Sequence, residues 1–372
     1  MNVLVVNAGS SSLKLRLLDA DDKVVAQQDV TGREGGFAAG EVTDAVLGMA
    51  SAVSEVDAVG HRVVHGGTRY SKAVLIDPAV RADLGELVPL APLHQPTGLA
   101  GIDAVSRALP DTPAVGCFDT AFHSTLSEAA AVYAVPAEWR KQYSLRRYGF
   151  HGLSHAYVSR RAAEMLGRDV AGFRVVTCHL GAGASLAAVD SGRSVDTTMG
   201  FTPLEGLIMA TRSGSIDPGI VTWLQQQAGM SAAEVSDGLE HHSGMLGLAG
   251  TADMREVENR RDAGDADAAL AFDAYLHQLR RLIGSMVAVL GGLDALVFTG
   301  GIGENSAAVR GGAVAGLGFL GVALNSGVNA ATRGEGDISA PGAPVSTLVV
   351  AAREDVEIAR QVRQLIGNRK PA

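Results

Sequence analysis

The N-terminal residues combine a short apolar strand, a small polar turn and a lysine. An apolar run ends at Asn7, and a turn that contains Ser10 and Ser12 leads into residues 13–17, where leucines alternate with basic residues, Lys14 among them. Alternation with a period of two predicts a strand with one buried face. A hairpin of these strands would present backbone N–H groups, hydroxyls and the lysine at its turn, a set that can hold phosphate oxygens. An ordinary hairpin with a polar turn would have the same residues.

Four further residues have the chemistry of an anion-binding or catalytic site. Arg62 and Arg212 lie in glycine-rich segments of low charge, Asp119 follows a buried apolar run, and His151 lies within Tyr148-Gly-Phe-His-Gly. An arginine can donate two parallel hydrogen bonds to a carboxylate or a phosphoryl group. Taken singly, each arginine is more often part of a surface or structural ion pair. A single histidine is more often an ordinary core or surface residue than a catalytic one. The occurrence of both arginines in such segments favours a site.

A second hairpin of the same kind occurs about half a chain later. An apolar strand at 174–178 leads into His179-Leu-Gly-Ala-Gly183, and a second strand follows at 186–189. Both copies continue through a polar turn into a third strand, at 24–28 in the first copy and from 194 in the second. The repetition suggests two similar domains that bind one nucleotide. Chance similarity between two short hairpins stays open, because the residue identity is weak.

The remaining elements indicate an α/β protein, because strands alternate with helical segments. Ligands in α/β sheets bind at the carboxyl ends of strands, so the loops after the apolar runs that begin at residues 58, 114, 295 and 346 are candidate site segments. The clearest helix is predicted from about 268 to 290, with Gly291 as its stop, and the last from about 355 to 366.

Size and charge limit the possible classes of protein. A chain of 372 residues exceeds the usual size of one core, which predicts two domains. A net charge of −9 argues against a nucleic-acid or anionic-membrane partner. The N-terminal residues show no basic segment before an apolar run, and no apolar run reaches transmembrane length, so we expect a soluble, cytoplasmic protein.

Eight motifs together resemble the acetate kinase family of the actin-like sugar-kinase and heat-shock ATPase superfamily. They occur in the family's order and extend the resemblance from residue 2 to about 366: Asn7-Ala-Gly-Ser-Ser-Ser-Leu-Lys14, Gly60-His-Arg-Val-Val-His-Gly-Gly67, Phe118-Asp-Thr-Ala-Phe-His123, Tyr148-Gly-Phe-His-Gly152, Asp196-Thr-Thr-Met-Gly200, Thr202-Pro-Leu-Glu-Gly206, Thr211-Arg-Ser-Gly214 and Phe298-Thr-Gly-Gly-Ile-Gly-Glu-Asn-Ser306.

The resemblance implies a two-domain actin-like ATPase fold with a duplicated ribonuclease-H-like core. The N-terminal domain would comprise residues 1–122 and 356–372, and the C-terminal domain, with nucleotide and dimer contacts, residues 123–355. The implied enzyme is a homodimeric acetate kinase. It would transfer a phosphoryl group reversibly between ATP and acetate, giving acetyl phosphate and ADP, with Mg²⁺ or Mn²⁺.

The resemblance also implies roles for individual residues. Asn7 and Glu354 would hold the metal, and Arg62, Asp119, His151 and Arg212 would surround the reacting groups. Arg62 would also bind the acid, together with the apolar residues Val64, Leu93, Phe150 and Pro203. The residues that would contact ATP are Ser10, Ser12, Lys14, His179, Leu180, Gly181, Ala182, Gly183, Asp253, Met254, Arg255, Gly301, Ile302, Gly303, Glu304 and Asn305.

The chemistry of the implied reaction narrows these roles. A carboxylic acid with a pKa near about 4 is already ionised at pH 7 and needs no general base, so we expect Asp119 to hold or orient the magnesium shell. Arg62, Arg212 and His151 would offset the repulsion between the acid and the phosphate. Val64 favours acetate, although one methylene discriminates by only about 1–3 kcal/mol and would leave propionate a slower substrate.

Several residues depart from the family's pattern. Asparagine is usual in the family at Ala182, Gln95 and Gly98, glycine at Ala210, and aspartate at Ser215. The missing amide at position 182 is worth about 0.5–1.5 kcal/mol. Two alternatives stay open: a kinase for propionate or another short-chain acid, and a nucleotide-binding module without catalysis. A pure binding module would not need the two arginines.

Overall fold

A computed structural model describes residues 1–8, 12–31, 39–53, 55–92 and 94–368. Within them the strands are β1 (Val3–Ala8), β2 (Ser12–Leu18), β3 (Val24–Thr31), β4 (Ala58–Val63), β5 (Val74–Leu75), β6 (Ala114–Phe118), β7 (Arg174–Leu180), β8 (Ala184–Asp190), β9 (Arg193–Thr197), β10 (Ala295–Thr299), β11 (Gly336–Asp337) and β12 (Ser346–Val349).

The helices lie singly or in groups between these strands along the chain. They are α1 (Ala39–Ala50), α2 (Pro78–Glu86), α3 (Gln95–Ala108), α4 (Glu128–Ala131), α5 (Ala137–Tyr143), α6 (Gly152–Met165), α7 (Pro218–Gln226), α8 (Ala232–His241), α9 (Gly244–Ala249), α10 (Met254–Asp262), α11 (Ala266–Leu290), α12 (Gly300–Asn305), α13 (Ala307–Val314), α14 (Ser326–Ala331) and α15 (Glu354–Gly367). Short 3₁₀ helices lie at Val88–Leu90, Ala121–Thr125 and Gly318–Leu320.

The chain forms two compact units. The first comprises Met1–Ser124, His151–Tyr157 and Arg353–Ala372, and the second comprises Thr125–Phe150 and Val158–Ala352. Relative to the domain boundaries predicted from the sequence, the first unit also includes residues 123–124, 151–157 and 353–355.

The first unit is built on a six-stranded sheet with the order β3-β2-β1-β4-β6-β5. Strands β1, β4 and β6 are parallel neighbours, whereas β2 and β3 continue the sheet as antiparallel strands. Side chains alternate between the two faces. Leu4 and Val6 pack with α1 and α3 on one face, and Val3 and Val5 pack with α15 on the other.

The second unit repeats this topology. Its six strands have the order β9-β8-β7-β10-β12-β11, in which β7, β10 and β12 are the parallel neighbours and β8 and β9 the antiparallel continuation. The duplication predicted from the two hairpins therefore extends over the full strand order of both sheets. The predicted α/β class with a duplicated core is confirmed.

The long helix α11 illustrates how local signals set element bounds. It starts two residues before the predicted position, because the Asp265 side chain accepts hydrogen bonds from the N–H groups of Asp267 and Ala268. Gly291 ends it in the left-handed conformation with φ 65°, as predicted. Among the described residues, none of the helices combines the length and the apolar character needed to cross a membrane.

Candidate active site

Three strand ends of the first unit bring Asn7, Arg62 and Asp119 together. They lie at the carboxyl ends of β1, β4 and β6, which are adjacent in the sheet. The residues two positions earlier, Val5, Gly60 and Cys117, all face α15. Because side chains alternate along a strand, the three site residues share that face, on which Glu354 begins α15.

Arg62 is the centre of this group. Its Nε lies 3.0 Å from Asp119 Oδ1 and 3.1 Å from Oδ2, and its Nη2 lies 2.6 Å from Oδ2. Its Nη1 donates to Asn7 Oδ1 at 3.0 Å, and Asn7 Nδ2 donates to Glu354 Oε2 at 3.1 Å. The Asn7 amide thus turns its oxygen to the guanidinium and its nitrogen to the carboxylate, which determines its orientation.

The environment keeps Arg62 charged. Burial by itself would lower the pKa of Arg62, but the carboxylates of Asp119 and Glu354 outweigh it and raise the pKa above its ordinary value. Asp119 is only 2% exposed and Arg62 17% exposed. A guanidinium held in this way is a preorganised positive charge at the end of a parallel sheet.

The neighbouring acidic residues Glu354 and Asp355 have different partners. Both oxygens of Asp355 accept hydrogen bonds from Arg353, at 2.9 to 3.1 Å. Glu354 instead faces Asn7, and its negative charge in the first turn of α15 is favoured by the helix dipole. Of this pair, Glu354 is therefore the candidate metal ligand.

The donor set of the first unit suits a magnesium ion with few protein ligands. In the described ranges, no group of three or more histidine, cysteine, aspartate or glutamate side chains could hold a metal ion. Mg²⁺ commonly takes one or two carboxylates and completes its shell with water and substrate phosphate. The Glu354 carboxylate fits that mode, and the Asn7 amide oxygen has a second lone pair beside the one that accepts from Arg62.

His151 is tied to Asp119 through the backbone. Gly152 N donates to Asp119 O at 2.9 Å, and a Cβ at Gly152 would lie 2.1 Å from the same oxygen, so only glycine fits there. His151 itself has φ 56°, a left-handed conformation that is costly for a residue with a side chain. The strained residue lies directly before Gly152, whose N–H holds the chain against Asp119 O.

Other predicted residues of the first unit are placed only in part. Lys14 is exposed and pairs with Asn7 in the antiparallel register of β1 and β2. Val64 is buried. Ser10, Leu93 and the side chain of Ser12 lie outside the described residues.

The second unit joins two of its predicted nucleotide segments at one sheet edge. The turn at 181–183 links β7 to β8, and α12 follows β10, the parallel neighbour of β7. A Cβ at Gly300 would lie 2.8 Å from Leu180 O, so glycine allows the two segments to approach closely. Glu304 accepts hydrogen bonds from the N–H groups of Gly300 and Ala352, each at 3.0 Å, which gives its side chain a structural role.

Residues 253–255 begin α10. Asp253 accepts from Arg255 N at 3.0 Å and pairs with the Arg255 side chain at 2.7 Å, and these hydrogen bonds lower the pKa of Asp253. The Met254 side chain is buried, so only its backbone could contact a nucleotide. The Ser306–Glu258 hydrogen bond links α10 to the start of α13.

Arg212 lies beside the turn at 181–183. Ala210 N donates to Ala182 O at 3.0 Å, and Arg212 Nη1 donates to Pro203 O at 3.4 Å. Burial lowers the pKa of Arg212, and Glu240, 3.4 Å from its Nε, opposes that shift. The second unit therefore also has a half-buried guanidinium next to a glycine-containing turn.

Comparison with known proteins identifies the family. A model of the Acetokinase family matches residues 28–360. The chain belongs to the Acetokinase family. It is 48% identical to the acetate kinase of Deinococcus radiodurans over 99% of each chain, and 43% identical to that of Acetivibrio thermocellus over 99% of this chain and all of the relative.

Solved structures of an acetate kinase and a propionate kinase have the same fold. The crystal structure of Porphyromonas gingivalis acetate kinase matches with a TM-score of 0.91 and 40% identity, over 98% of this chain and 99% of that one. A propionate kinase from Francisella tularensis matches with a TM-score of 0.89 and 37% identity, over 97% and 98%. The family and the actin-like two-domain fold predicted from the sequence are confirmed.

The departures from the Acetokinase pattern have structural partners. Ala182 and Ala210 are joined by the backbone hydrogen bond described above. Ser215, which stands where the family usually has aspartate, accepts a hydrogen bond from Gly206 N through its Oγ at 3.0 Å. The buried Gln95 amide donates to the carbonyls of His65 and Leu84, at 3.4 and 3.3 Å.

Sequence reasoning missed Glu240 as the partner of Arg212. Glu240 lies in α8 and has no motif or spacing that connects it with the arginine. Only the folded chain brings the two side chains together.

Proposed function

We propose that this member of the Acetokinase family is an acetate kinase. It transfers a phosphoryl group reversibly between ATP and acetate, forming acetyl phosphate and ADP. The observation that carries the proposal is the charged Arg62 at the ends of three parallel strands, held by Asp119 and Asn7 beside Glu354. Relatives described as acetate kinases, 43% and 48% identical over nearly the whole chain, support it.

The acid requires no base. Acetate is ionised at pH 7 and attacks as the carboxylate. Asp119 is almost fully buried and occupied by three contacts from Arg62, so its role is to orient that guanidinium and the metal shell.

The main barrier is repulsion between the acid and the phosphate. Arg62 and Arg212 supply positive charge, and His151 supplies a hydrogen bond to the transferring group. Glu354 and Asn7 would hold Mg²⁺, or Mn²⁺, which neutralises charge on the phosphate oxygens when bound. Charge of this kind counts most where it is already oriented before the reaction, as Arg62 is.

The nucleotide would be bound by the second unit's sheet edge and by the N-terminal hairpin. Backbone N–H groups of the turn at 181–183 and of 301–305 would contact phosphate and nucleoside, with 253–255 at the start of α10. Lys14 would add a positive charge from the hairpin.

The size of the acid would be set by apolar side chains. Val64 and Phe150 are buried, and Pro203 has its carbonyl on Arg212. We propose that these residues and Leu93 contact the methyl group of acetate. Propionate is then a slower substrate, because one methylene is worth only about 1–3 kcal/mol.

Trapping acyl phosphate with hydroxylamine tests the proposal directly. With ATP and Mg²⁺, we expect acyl hydroxamate from acetate, less from propionate and least from butyrate. Arg62→Ala serves as the site-inactivated control. No product from any acid would refute the reaction class, and faster turnover of propionate would make the chain a propionate kinase instead.

We also propose that the enzyme is a homodimer. Helix α7 exposes Ile220 and Trp223, the latter by 59%, which is unusual for large apolar residues on one short helix. Light scattering after gel filtration would measure the mass. We expect twice the chain mass for the wild type and a shift toward monomer for Trp223→Glu, and a wild-type monomer would refute this proposal.

A further inference from the structure

Three side chains of the second unit, Tyr133, Arg147 and Glu205, form a hydrogen-bonded cluster outside the residues assigned above. Tyr133 Oη donates to Glu205 Oε2 at 2.6 Å, and Arg147 Nη2 donates to Glu205 Oε1 at 2.8 Å. The Arg147 guanidinium lies 5.6 Å from the centroid of the Tyr133 ring. Each carboxylate oxygen therefore has its own donor, which makes the arrangement geometrically specific.

The cluster holds the loop at 198–206. Phe201 N donates to Tyr133 Oη at 2.9 Å, so the hydroxyl is donor to the carboxylate and acceptor from the loop. Arg147 Nη1 donates to the carbonyls of residues 198 and 199, at 3.3 and 3.1 Å. One guanidinium thus links the carboxylate to two backbone positions.

The same loop is bound to the segment that contains Arg147. Tyr148 N and Gly149 N both donate to Gly200 O, at 3.0 and 3.2 Å. A Cβ at Gly200 would lie 1.8 Å from Glu205 Oε2 and 2.1 Å from Tyr133 Oη. The loop therefore lies directly against the cluster, and glycine at 200 is required for that contact.

Protonation and burial favour this arrangement at neutral pH. Burial, together with the Glu205 carboxylate, raises the pKa of Tyr133 above its ordinary value, so the hydroxyl remains a donor. The Glu205 side chain is 35% exposed and that of Arg147 17%, so water competes only in part for their hydrogen bonds.

The cluster is connected to the residues proposed for the acid. Phe150 directly follows the bound segment 147–149 and is buried. Pro203 lies in the bound loop, and its carbonyl accepts from Arg212 Nη1. A displacement of the loop relative to 147–149 would therefore move Phe150, Pro203 and the support of Arg212 together.

We propose that Tyr133, Arg147 and Glu205 are positioning residues that fix the acid-binding side chains of the second unit and so set the discrimination between acetate and longer acids. The inference rests on the proposed function, because it assigns a consequence to residues proposed there to bind the acid. None of the three is proposed to touch the reacting atoms.

Three variants test the inference by acid selectivity. Tyr133→Phe removes the hydroxyl that joins loop and carboxylate, and we expect KM for acetate to rise about threefold to tenfold, the effect of one lost hydrogen bond. Glu205→Ala removes both acceptors and is expected to act at least as strongly. Glu205→Gln keeps an acceptor for Tyr133 and is expected to recover part of the loss.

Gly200→Ala is an independent steric test, because the added methyl group displaces the same carboxylate. In Tyr133→Phe, Glu205→Ala and Gly200→Ala, we expect the propionate-to-acetate ratio of kcat/KM to rise, because a loosened wall accepts the larger acid. We expect KM for ATP to stay within about twofold, since strand pairing of β7 and β8 holds the turn at 181–183. Glu335→Gln, which disrupts the 2.9 Å pair with Arg161 in the same unit, is the matched control and should leave the ratio unchanged.

The outcomes separate the two proposals. If the wild type forms acyl hydroxamate but the ratio stays constant in folded Tyr133→Phe and Glu205→Ala, the positioning role is wrong. Equal rises in KM for ATP and acetate would indicate general destabilisation and would also overturn it. A wild type that forms no acyl hydroxamate overturns the proposed function, and this inference with it.

Discussion

Replacing Arg62 by methionine would remove the cation that pairs with buried Asp119. The guanidinium makes three contacts of 2.6 to 3.1 Å with that carboxylate, which is only 2% exposed. Methionine keeps much of the side-chain volume but offers no donor. We therefore expect two separate effects, one on stability and one on rate.

The magnitudes follow from the burial of the pair. Removing one partner of a buried ion pair costs about 3–5 kcal/mol, because the other charge stays behind without compensation. In the double variant Arg62→Met/Asp119→Asn the buried Asp119 charge is removed together with its partner, so we expect most of the lost stability to return. Activity is expected to stay at least about a hundredfold below the wild type in both variants, because the charge that stabilises the transition state is absent.

Urea unfolding followed by far-UV circular dichroism measures the stability change. Tryptophan fluorescence would not, since Trp139 and Trp223 both lie in the second unit. Arg69→Met is the matched control in the first unit. Arg69 is 56% exposed and pairs with Asp83 and Glu86, so its loss is expected to cost no more than about 1 kcal/mol.

Two results would refute this reasoning. If Arg62→Met is no less stable than Arg69→Met, the contact with Asp119 contributes no more than a surface pair. If the double variant is no more stable than Arg62→Met, an uncompensated Asp119 charge is not the cause of the loss.

Four other variants test three further predictions from the same structure. Glu354→Ala is expected to raise strongly the magnesium concentration needed for half-maximal activity. Asp355→Ala is expected to raise it only weakly, because Asp355 is paired with Arg353. A larger effect at Asp355 would identify Asp355 as the ligand instead. Ala182→Asn is expected to lower KM for ATP or raise turnover by about tenfold at most, the value of one net hydrogen bond; a loss of activity would mean that the turn has adapted to the smaller residue. Burial lowers the pKa of His61 to about 3, so the folded state binds fewer protons than the unfolded state as pH falls below about 6.5. The free energy of unfolding then decreases by about 1.4 kcal/mol per pH unit. Urea midpoints between pH 6.5 and 5 should depend less on pH in His61→Gln, and an unchanged dependence would contradict this.

Much of the first unit's site could be predicted because its parts are local. Asn7 and Asp119 each lie at the end of an apolar run and Arg62 lies near the end of a third, and the period of two in a strand fixes the face that each side chain occupies. Their adjacency could not be predicted from periodicity, because it depends on the strand order β1-β4-β6. The family resemblance supplied what the local pattern lacked.

Partners from distant segments were beyond the reach of the sequence. Tyr133 and Glu205 are 72 positions apart, and Arg147 meets Glu205 from a third segment. Each residue taken alone resembles an ordinary surface or boundary residue. The specificity of the cluster lies in the pairing of two donors with the two oxygens of one carboxylate, which no spacing rule encodes.

The duplicated sheets show how one topology serves two kinds of chemistry. Strands β1, β4 and β6 of the first unit correspond in order to β7, β10 and β12 of the second. In the first unit the strand ends carry side chains that are joined by hydrogen bonds and an ion pair, with Arg62 at the centre. In the second unit the ends of β7 and β10 continue into Gly181 and Gly300, and a Cβ at Gly300 would collide with the end of β7. Because glycine has no side chain, backbone N–H groups are the hydrogen-bond donors available at these two positions. We therefore propose that the first copy polarises the reacting groups and that the second holds phosphate through its backbone.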